Sequence, residues 1–342
     1  MAGEHYVFKM KMLMEMRLTK LYTVAAVVLF MSHGCREQED YQTFRIAYAM
    51  AQGGTSHLAA VRFKELVESR SKNGIKVKLY PNSVLGEERS VIEGLKLNGV
   101  DMVIAGPSVI GTYAPEYGLI EAPFLFRDFE HLDKVLYGPI GKEMNDVLHE
   151  KQGLHFVDFF HRGPRYLTTS ERPIRTPADL RGLKLRVPAL PVYIKSWSIF
   201  GANPTPVNYS DMFIALKQGV VEGQENPLEV IYTSHLYEVQ RYIMETDHLL
   251  SFYVMTVGDS FYRKFDTDAQ NLLLQASRES AVYHNSLVAE YEKFYRDALL
   301  KEGIEFIEVD KEAFYKLASQ KLPKEFDGLW RPGVYHRIIN TR

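Results

Sequence analysis

Arg186 stands in Gly-Leu-Lys-Leu-Arg-Val-Pro, residues 182–188, a pattern that predicts a short buried strand ending at a proline. Leu183, Leu185 and Val187 alternate with the basic residues, so Arg186 lies on the face opposite the core. A guanidinium held on a rigid strand can grip a carboxylate with two parallel hydrogen bonds, which a lysine cannot do. From the residues alone, a surface ion pair is the commoner use of such an arginine. The pattern therefore indicates either a carboxylate-binding site or an exposed salt bridge.

A second polar group follows about forty residues later, in Gln224-Glu225-Asn226-Pro227. The amide of Asn226 offers both a donor and an acceptor, which suits a ligand with a carboxylate and hydroxyl groups. The alternative is a helix cap ahead of the helix-starting Pro227, and both roles are compatible.

Polar side chains also mark the loops of the first half of the chain, where a ligand with hydroxyl groups would find acceptors. Glu87 and Glu88 precede a predicted helix, and Gln52 and His57 flank a Gly-Gly-Thr-Ser turn. For the glutamates, the alternative is a favourable interaction with the helix dipole. Weaker candidates are Ser108, His248 and Phe252.

The elements that must position these residues alternate between strand and helix. Strands are predicted at 44–50, 75–79 and 102–105, with helices at 57–71 and 86–98 between them. This order predicts an α/β fold with a parallel sheet, whose ligands bind at the carboxyl ends of the strands. We expect Ser56 to cap the first helix.

A second α/β unit is predicted from about 164 to 250, followed by one long helix. Residues 267–302 contain no glycine or proline, with Thr267 as the expected N-cap and Gly303 as the end. At the helical rise this segment is about 50 Å long, enough to brace two domains.

The composition limits the class of protein. The 342 residues suffice for two domains, and a net charge of −2 gives no indication of nucleic-acid binding. One cysteine excludes a disulfide framework, and the histidines show no ligand spacing, so we expect no metal and no cofactor. Nucleophile-elbow, phosphate-loop and dinucleotide motifs are absent from the sequence, which argues against an enzyme.

Residues 1–35 are predicted to be an export signal. Arg17 and Lys20 precede an apolar run of signal-peptide length, and Met16 is a candidate translation start. Cys35, the one cysteine, follows the apolar run. Two hypotheses remain open at this point, a lipidated Cys35 and a plain secreted protein, and both predict a periplasmic location.

The order of motifs along the chain resembles the DctP-like solute-binding proteins of tripartite ATP-independent periplasmic (TRAP) transporters. The resemblance covers roughly residues 43 to 310 and rests on several runs. These are LYPNSVLGEERSVIEGLKLNGVDMVIAG (79–106), APFLF (122–126), GPRYLTTSERPI (163–174), KLRVP (184–188), GANPTPVNYSDMFIALKQGVVEGQENP (201–227) and LYEVQRYIMETDHLL (236–250).

The resemblance implies a two-lobed periplasmic binding protein fold with an inter-lobe cleft and a long bridging helix. Lobe I is expected to comprise 43–163 plus about 252–290, and lobe II 164–251 plus about 291–342. Arg186 then matches the family arginine that grips the substrate carboxylate. Arg165 matches a second arginine near it, although this chain carries one extra residue before Thr168-Thr169-Ser170. Further matches are Asn226 and the ligand-flanking aromatic Tyr209.

The implied function is capture of an organic acid and its delivery to a membrane permease with a small and a large subunit. We expect a sugar acid such as a uronate or aldonate and a monomeric protein. A C4-dicarboxylate, a sialic acid and a sensory role that feeds a receptor are the alternatives.

Overall fold

The computed structural model describes residues 41–342, so the predicted signal segment and Cys35 lie outside the described residues. The strands are β1 (Gln42–Tyr48), β2 (Ile75–Tyr80), β3 (Met102–Ala105), β4 (Leu154–Pro164), β5 (Tyr166–Thr169), β6 (Lys184–Val187), β7 (Asn203–Pro206), β8 (Gly223–Asn226), β9 (Tyr242–Met244), β10 (Leu250–Gly258) and β11 (Glu305–Ile307). The helices are α1 (Thr55–Arg70), α2 (Glu88–Lys96), α3 (Ser108–Tyr113), α4 (Phe129–Leu136), α5 (Pro139–Gln152), α6 (Pro191–Phe200), α7 (Met212–Lys217), α8 (Leu228–Thr233), α9 (Asp259–Lys264), α10 (Thr267–Lys301), α11 (Lys311–Glu325) and α12 (Val334–Ile339). Three short 3₁₀ helices span Pro115–Glu121, Pro177–Leu180 and Leu236–Glu238.

Lobe I is built on a five-stranded sheet in the order β2-β1-β3-β10-β4. The first three strands are parallel, as the alternating pattern predicted. Phe44 and Ile46 of β1 are fully buried, and Phe63 of α1 packs on Phe44 with ring centroids 5.5 Å apart. Strand β10, from much later in the chain, pairs antiparallel with both β3 and β4. The prediction of an α/β sheet is confirmed, with one antiparallel strand, β10, inserted between β3 and β4, which run in the same direction.

Lobe II is built on a six-stranded sheet in the order β11-β9-β5-β8-β6-β7. Its polar central strand β8 is entirely buried between β5 and β6. Gly223 makes this approach possible, because a Cβ at this position would lie 2.4 Å from the Thr168 carbonyl oxygen. The strand that carries Arg186, β6, ends at Val187, just before Pro188 as expected.

The chain crosses between the two sheets at Arg165 and again within residues 245–249. Strand β4 of lobe I ends at Pro164 and β5 of lobe II begins at Tyr166, so Arg165 alone forms the first crossing. Its backbone nitrogen donates to the Leu249 carbonyl oxygen at 2.9 Å, which joins the two crossings. Arg165 therefore lies where the lobes meet.

The long helix α10 braces both lobes. Glu279 forms an exposed ion pair with Arg70 of lobe I at 2.7 Å, and Glu292 accepts a hydrogen bond from the Tyr166 hydroxyl of lobe II at 2.8 Å. The predicted bridging helix is confirmed, but its cap is not Thr267. The Asp266 carboxylate accepts from the Ala269 nitrogen and caps the helix instead.

A carboxylate from lobe II reaches the first turn of α1 in lobe I. Glu229 accepts hydrogen bonds from the backbone nitrogen of Thr55 at 2.5 Å and from its hydroxyl at 2.9 Å. Ser56, the predicted cap, does not serve this role, since its buried hydroxyl has no partner among residues 41–342. A helix N-terminus favours negative charge, and a residue 174 positions away supplies it here.

The C-terminal segment contacts both lobes. Helix α11 packs on α6 of lobe II. Helix α12, which the sequence assigned to lobe II, instead pairs Arg337 with Glu143 of lobe I at 2.6 Å. The boundaries proposed for the lobes remain a prediction.

Within the described part of the chain, no helix is both long enough and apolar enough to cross a membrane.

Candidate functional site

A cavity of about 490 Å³ lies between the lobes. Lobe I contributes the ends of β1, β2 and β3, where a parallel sheet is expected to bind ligands. Lobe II contributes the end of β6 and the start of α6. The polar or charged residues that line it are Glu87, Glu88, Arg89, Ser108, Thr112, Tyr113, Glu121, Arg162, Arg165, Arg186, Tyr193, Asn208, Tyr209, Asn226 and Tyr253.

Arg186 reaches the cavity as a buried cation without a counter-ion in the described chain. Its side chain is buried, with the residue 4% exposed, and its Nε donates to the Val207 carbonyl oxygen at 2.9 Å. No carboxylate lies within 4.0 Å of its guanidinium in residues 41–342. Burial lowers the pKa of Arg186 to about 10, so the group still carries its charge at neutral pH. Its two terminal nitrogens remain for a ligand.

Arg165, by contrast, is committed to a carboxylate of the protein. Its Nε and Nη2 donate to the Glu225 carboxylate at 2.5 and 2.8 Å, and Nη2 also reaches the Glu225 carbonyl oxygen at 2.7 Å. His248 adds a contact to the same carboxylate at 3.2 Å. Burial alone would raise the pKa of Glu225, but Arg165 lowers it to about 2. This ion pair holds the Arg165 side chain in place at the cavity wall.

Asn226 belongs to the same network. Its Oδ1 accepts from Nη2 of Arg165 at 3.1 Å and lies 3.5 Å from Nη2 of Arg162. Its Nδ2 donates to the Gln224 side chain at 2.7 Å. Asn226 thus lines the cavity while both ends of its amide have protein partners.

Arg162 and Tyr209 also line the cavity. The Arg162 guanidinium lies over the Tyr253 ring, 4.8 Å from its centroid, and its buried Nε has no partner in the described chain. Arg162 was not among the residues predicted to bind a ligand. Tyr209, a predicted ligand neighbour, bonds Ser234 through its hydroxyl at 2.9 Å.

On the lobe I side, Glu88 is held by the end of β3. Its carboxylate accepts from the Ser108 hydroxyl and from the backbone nitrogen of Gly106, the latter at 3.2 Å. Burial raises the pKa of Glu88, and the nearby Arg162 opposes this effect. Glu87 lines the same wall. Both glutamates therefore lie at the cavity, in the strand-end loop where the sequence placed them.

Gln52 and His57 lie outside the cavity lining. Gln52 is exposed, and the His57 ring bonds the Tyr48 hydroxyl through Nδ1 at 2.7 Å. Glu229 of lobe II holds the start of α1, and His57 lies in the first turn of that helix. Gln52 and His57 therefore do not line the cavity with the other predicted site residues.

Glu121 and Tyr193 form a hydrogen bond between the lobes at the edge of the cavity. The Tyr193 hydroxyl of α6 donates to Oε1 of Glu121 at 3.0 Å, while the buried Oε2 has no partner in the described chain. Burial raises the pKa of Glu121 to about 8. At neutral pH this carboxyl is therefore mostly protonated. The charged groups that act on it are Arg165, Glu88 and Glu225.

The charges of the site do not balance. Four guanidinium groups line the cavity, those of Arg89, Arg162, Arg165 and Arg186. Glu225 neutralises one of them, and Glu87 adds a negative charge at the wall. Glu121 is mostly uncharged at neutral pH, and the raised pKa of Glu88 weakens its charge. A site of this kind favours an anionic ligand.

Residues 46–327 match the family described as bacterial extracellular solute-binding protein, family 7, also called DctP. This match spans well over half of the chain. The chain belongs to this family. The family consists of solute-binding proteins that act outside the cytoplasm, and it is not a family of enzymes.

Three similar proteins represent the family. A TRAP solute-binding protein from Roseobacter denitrificans, solved with L-galactonate bound, is 35% identical with a TM-score of 0.81, covering 88% of this chain and 100% of that chain. The 2,3-diketo-L-gulonate-binding periplasmic protein of Escherichia coli is 32% identical, covering 80% of this chain and 83% of its own length. A TRAP solute-binding protein from Sulfurospirillum deleyianum, solved with succinate, is 26% identical with a TM-score of 0.83, covering 89% of this chain and 99% of that chain. The resemblance to TRAP solute-binding proteins is confirmed.

Sequence reasoning missed Glu121, Tyr193 and the role of Glu225 in this family member. Glu121 ends the APFLF-flanking 3₁₀ helix and bonds a residue 72 positions away. The sequence carried one signal for Glu225, its place beside Asn226 in the matched motif.

Replacing Glu121 with glutamine is expected to flatten the pH dependence of stability. The folded-state pKa of Glu121, about 8, lies above the ordinary glutamate value of 4.5, so its contribution to stability is fully present below about pH 4.5. That contribution is lost as the pH rises through 8. Urea unfolding at pH 5, 6, 7 and 8 measures this difference. Between pH 5 and pH 8 the wild type should lose about 2 kcal/mol or more of unfolding free energy beyond what Glu121→Gln loses.

The matched control is Glu65→Gln, an exposed glutamate on α1. Its stability profile should follow that of the wild type. Parallel profiles for the wild type and Glu121→Gln would contradict the assigned role of Glu121.

Proposed function

We propose that the protein captures a sugar acid, an aldonate or uronate, in the cavity between its lobes and delivers it to a TRAP permease. The observation that carries this proposal is Arg186, a buried guanidinium without a protein carboxylate beside it in the described chain. A buried charge without a partner is costly, and a ligand carboxylate supplies the partner.

The donor geometry of Arg186 supports a carboxylate in particular. Its Nε is already used by the Val207 carbonyl oxygen, so the two terminal nitrogens are oriented by a bond to the adjacent strand. A guanidinium fixed in this way offers two parallel donors, which match the two oxygens of a carboxylate. Arg165 orients the wall beside it through Glu225, and Asn226 extends the same network.

The opposite wall supports a ligand with several hydroxyl groups. Glu88 and Glu121 of lobe I offer hydrogen-bond acceptors or donors on this wall, and Asn208 of lobe II adds an amide to the same cavity. A dicarboxylate such as succinate has no hydroxyl groups to satisfy them, and a negatively charged second end would face Glu88. Similar proteins from Roseobacter denitrificans and Escherichia coli bind sugar acids, whose hydroxyl groups would find partners at this wall.

Transport follows from closure of the lobes. A ligand that touches both walls binds the closed form better than an open one and shifts the population towards it. The two crossings at Arg165 and at residues 245–249 are the segments about which the lobes would rotate. We propose that the closed monomer docks on the small and large permease subunits, in the periplasm, and releases its ligand chemically unchanged.

A thermal-shift panel on the purified protein tests the proposal. A ligand that binds the folded state stabilises it by RT ln(1 + [L]/Kd), so at 100-fold excess over Kd the gain is about 2.7 kcal/mol. L-Galactonate and D-glucuronate are expected to raise the melting temperature. Galactitol, which keeps the hydroxyl chain and lacks the carboxylate, is expected to have no effect.

Succinate and sialic acid complete the panel. A shift with succinate that exceeds the shift with every sugar acid would replace the proposed substrate class by C4-dicarboxylates. A shift with galactitol as large as that with L-galactonate would contradict the carboxylate clamp. Conversion of a sugar acid to another compound during incubation would contradict the non-catalytic role.

A further inference from the structure

Three potential metal ligands converge on the surface of lobe I, away from the cavity. His149 lies near the end of α5, His155 near the start of β4, and Asp259 opens α9. Their ligand atoms all lie within 4.8 Å of one another. They form an open surface pocket of about 350 Å³ together with Tyr262 and Arg263. We call these three residues the His-His-Asp cluster.

The cluster is separate from the ligand cavity. His155 and Arg162 both lie on β4, and the seven residue steps from one to the other span about 23 Å of extended strand. Arg162 lines the cavity, whereas none of the three cluster residues does so. The two sites therefore lie towards opposite ends of the same strand.

The separations within the cluster fit a first coordination shell. Nε2 of His155 lies 2.7 Å and Nε2 of His149 lies 3.4 Å from the same oxygen, Oδ1 of Asp259. Zinc bonds of 2.0 to 2.2 Å in a tetrahedral site place ligand atoms about 3.3 Å apart. The two observed separations, 2.7 and 3.4 Å, lie on either side of this value.

The backbone is shaped to bring the three side chains together. Gly153, in the turn between α5 and β4, has a φ of +64°, and a Cβ there would lie 2.9 Å from Oδ2 of Asp259. The Asp259 nitrogen donates to the Gly153 carbonyl oxygen at 2.9 Å. The Tyr262 ring packs edge-on against His155 at 4.8 Å between centroids. The ligand positions are thus set by rigid elements and by a turn that another residue would disturb.

We propose that His149, His155 and Asp259 form a surface site for a divalent transition metal of the zinc class. Imidazole nitrogens and a carboxylate suit zinc, copper and nickel, whereas magnesium and calcium prefer sites made of oxygen alone. The open pocket leaves a fourth position for water or an external ligand. The sequence did not indicate this site, because its histidines lack the regular spacing of a metal-binding motif. Asp259 lies about 100 residues after His155 and meets the two histidines only in the fold.

A simple histidine–carboxylate pair would need only one of the two imidazoles. The His155 ring forms a hydrogen bond with Oδ1 of Asp259 at 2.7 Å. The His149 ring lies beside it, tilted by 31° with ring centroids 4.3 Å apart, and its Nε2 lies 3.4 Å from the same oxygen. Two imidazoles aimed at one carboxylate oxygen make a three-ligand set. Arg263, at the pocket edge, is the group that would oppose a cation there.

Titration calorimetry of Zn²⁺ into protein freed of metal by chelator and dialysis tests the proposal. The wild type is expected to bind one Zn²⁺ per chain. His149→Ala, His155→Ala and Asp259→Asn should each weaken binding by about 100-fold or more, since losing even an outer-shell partner costs 10- to 100-fold. Millimolar Mg²⁺ or Ca²⁺ should not compete.

The matched control is His235→Ala, an exposed histidine 3.7 Å from the carboxylate of Glu238 and without a third ligand among residues 41–342. It should bind Zn²⁺ as the wild type does, and so should Arg186→Ala, which alters only the ligand cavity. Wild type that binds no Zn²⁺, or three cluster variants that bind it unchanged, would overturn the proposal. Loss of Zn²⁺ binding in Arg186→Ala would also overturn it, by moving the metal to the cavity.

Discussion

Arg186→Met is expected to abolish ligand binding while it raises the stability of the ligand-free protein. Removing one partner of a buried hydrogen-bonded charge pair costs about 3 kcal/mol or more, which is at least about a 100-fold rise in Kd. Methionine keeps most of the packing of the arginine stem. Calorimetry with the best ligand of the panel measures the loss, and Arg186→Lys should also bind weakly because it lacks two parallel donors.

The gain in stability follows from the lowered pKa of Arg186. At pH 7, below both about 10 and 12.5, the group is charged in the folded and the unfolded states. Burial disfavours that charge only in the folded state, so its removal stabilises the fold. Loss of the bond to the Val207 carbonyl oxygen offsets part of this gain, which leaves about 1 to 2 kcal/mol in urea unfolding.

Lys184→Met is the matched control, because Lys184 lies two residues earlier on the same strand and is exposed. It removes one positive charge without touching the cavity lining. We expect neither the ligand affinity nor the stability to change by more than about 0.5 kcal/mol. Binding by Arg186→Met as tight as in the wild type would show that the carboxylate is held elsewhere.

Arg165→Met is expected to cost about 3 to 5 kcal/mol of unfolding free energy, because it leaves the Glu225 carboxylate buried without its partner. Urea unfolding at pH 7 measures this loss. The double variant Arg165→Met/Glu225→Met should recover a large part of it, since two apolar side chains can replace a buried ion pair. The exposed pair Arg70–Glu279 supplies the control, and Arg70→Met is expected to leave the stability almost unchanged because water screens an exposed pair.

The same pair has a pH signature. The pKa of Glu225 is about 2 in the folded state against an ordinary glutamate value of 4.5, so its contribution to stability is present above about pH 4.5. This contribution is lost as the pH falls towards 2. The difference in stability between wild type and Arg165→Met should therefore shrink below pH 4.5. A difference that is small at pH 7, or constant down to pH 3, would contradict the role of this pair.

Features that depend on neighbouring residues were predictable from the sequence. The strand that carries Arg186 showed the alternation of a half-buried strand, and its end at Pro188 follows from the missing amide donor of proline. The long helix was predictable because residues 267–301 contain no helix breaker. Its cap was misplaced by one residue, since Asp266 and Thr267 are both good caps and only the geometry selects one.

Features that depend on distant residues were not predictable from local patterns. The insertion of β10 between β3 and β4 joins segments about 100 and 150 residues apart, and no local pattern encodes that pairing. Gln52 and His57 follow β1 as the sequence indicated, yet neither lines the cavity, and the bond between Glu229 and the start of α1 joins residues 174 positions apart.

The sequence by itself determined the two α/β units, the bracing helix and the position of Arg186 on a short strand, because side-chain periodicity and chain breakers act over a few residues. Only the tertiary structure decided that Arg165 is bound to Glu225, 60 positions away, while Arg186 stays free of protein carboxylates in the described chain. Both arginines are buried, and each lies in a run of residues that resembles a family motif. Their difference lies in which charges the fold brings within a few ångströms, and Coulomb interactions depend on that distance rather than on position in the sequence.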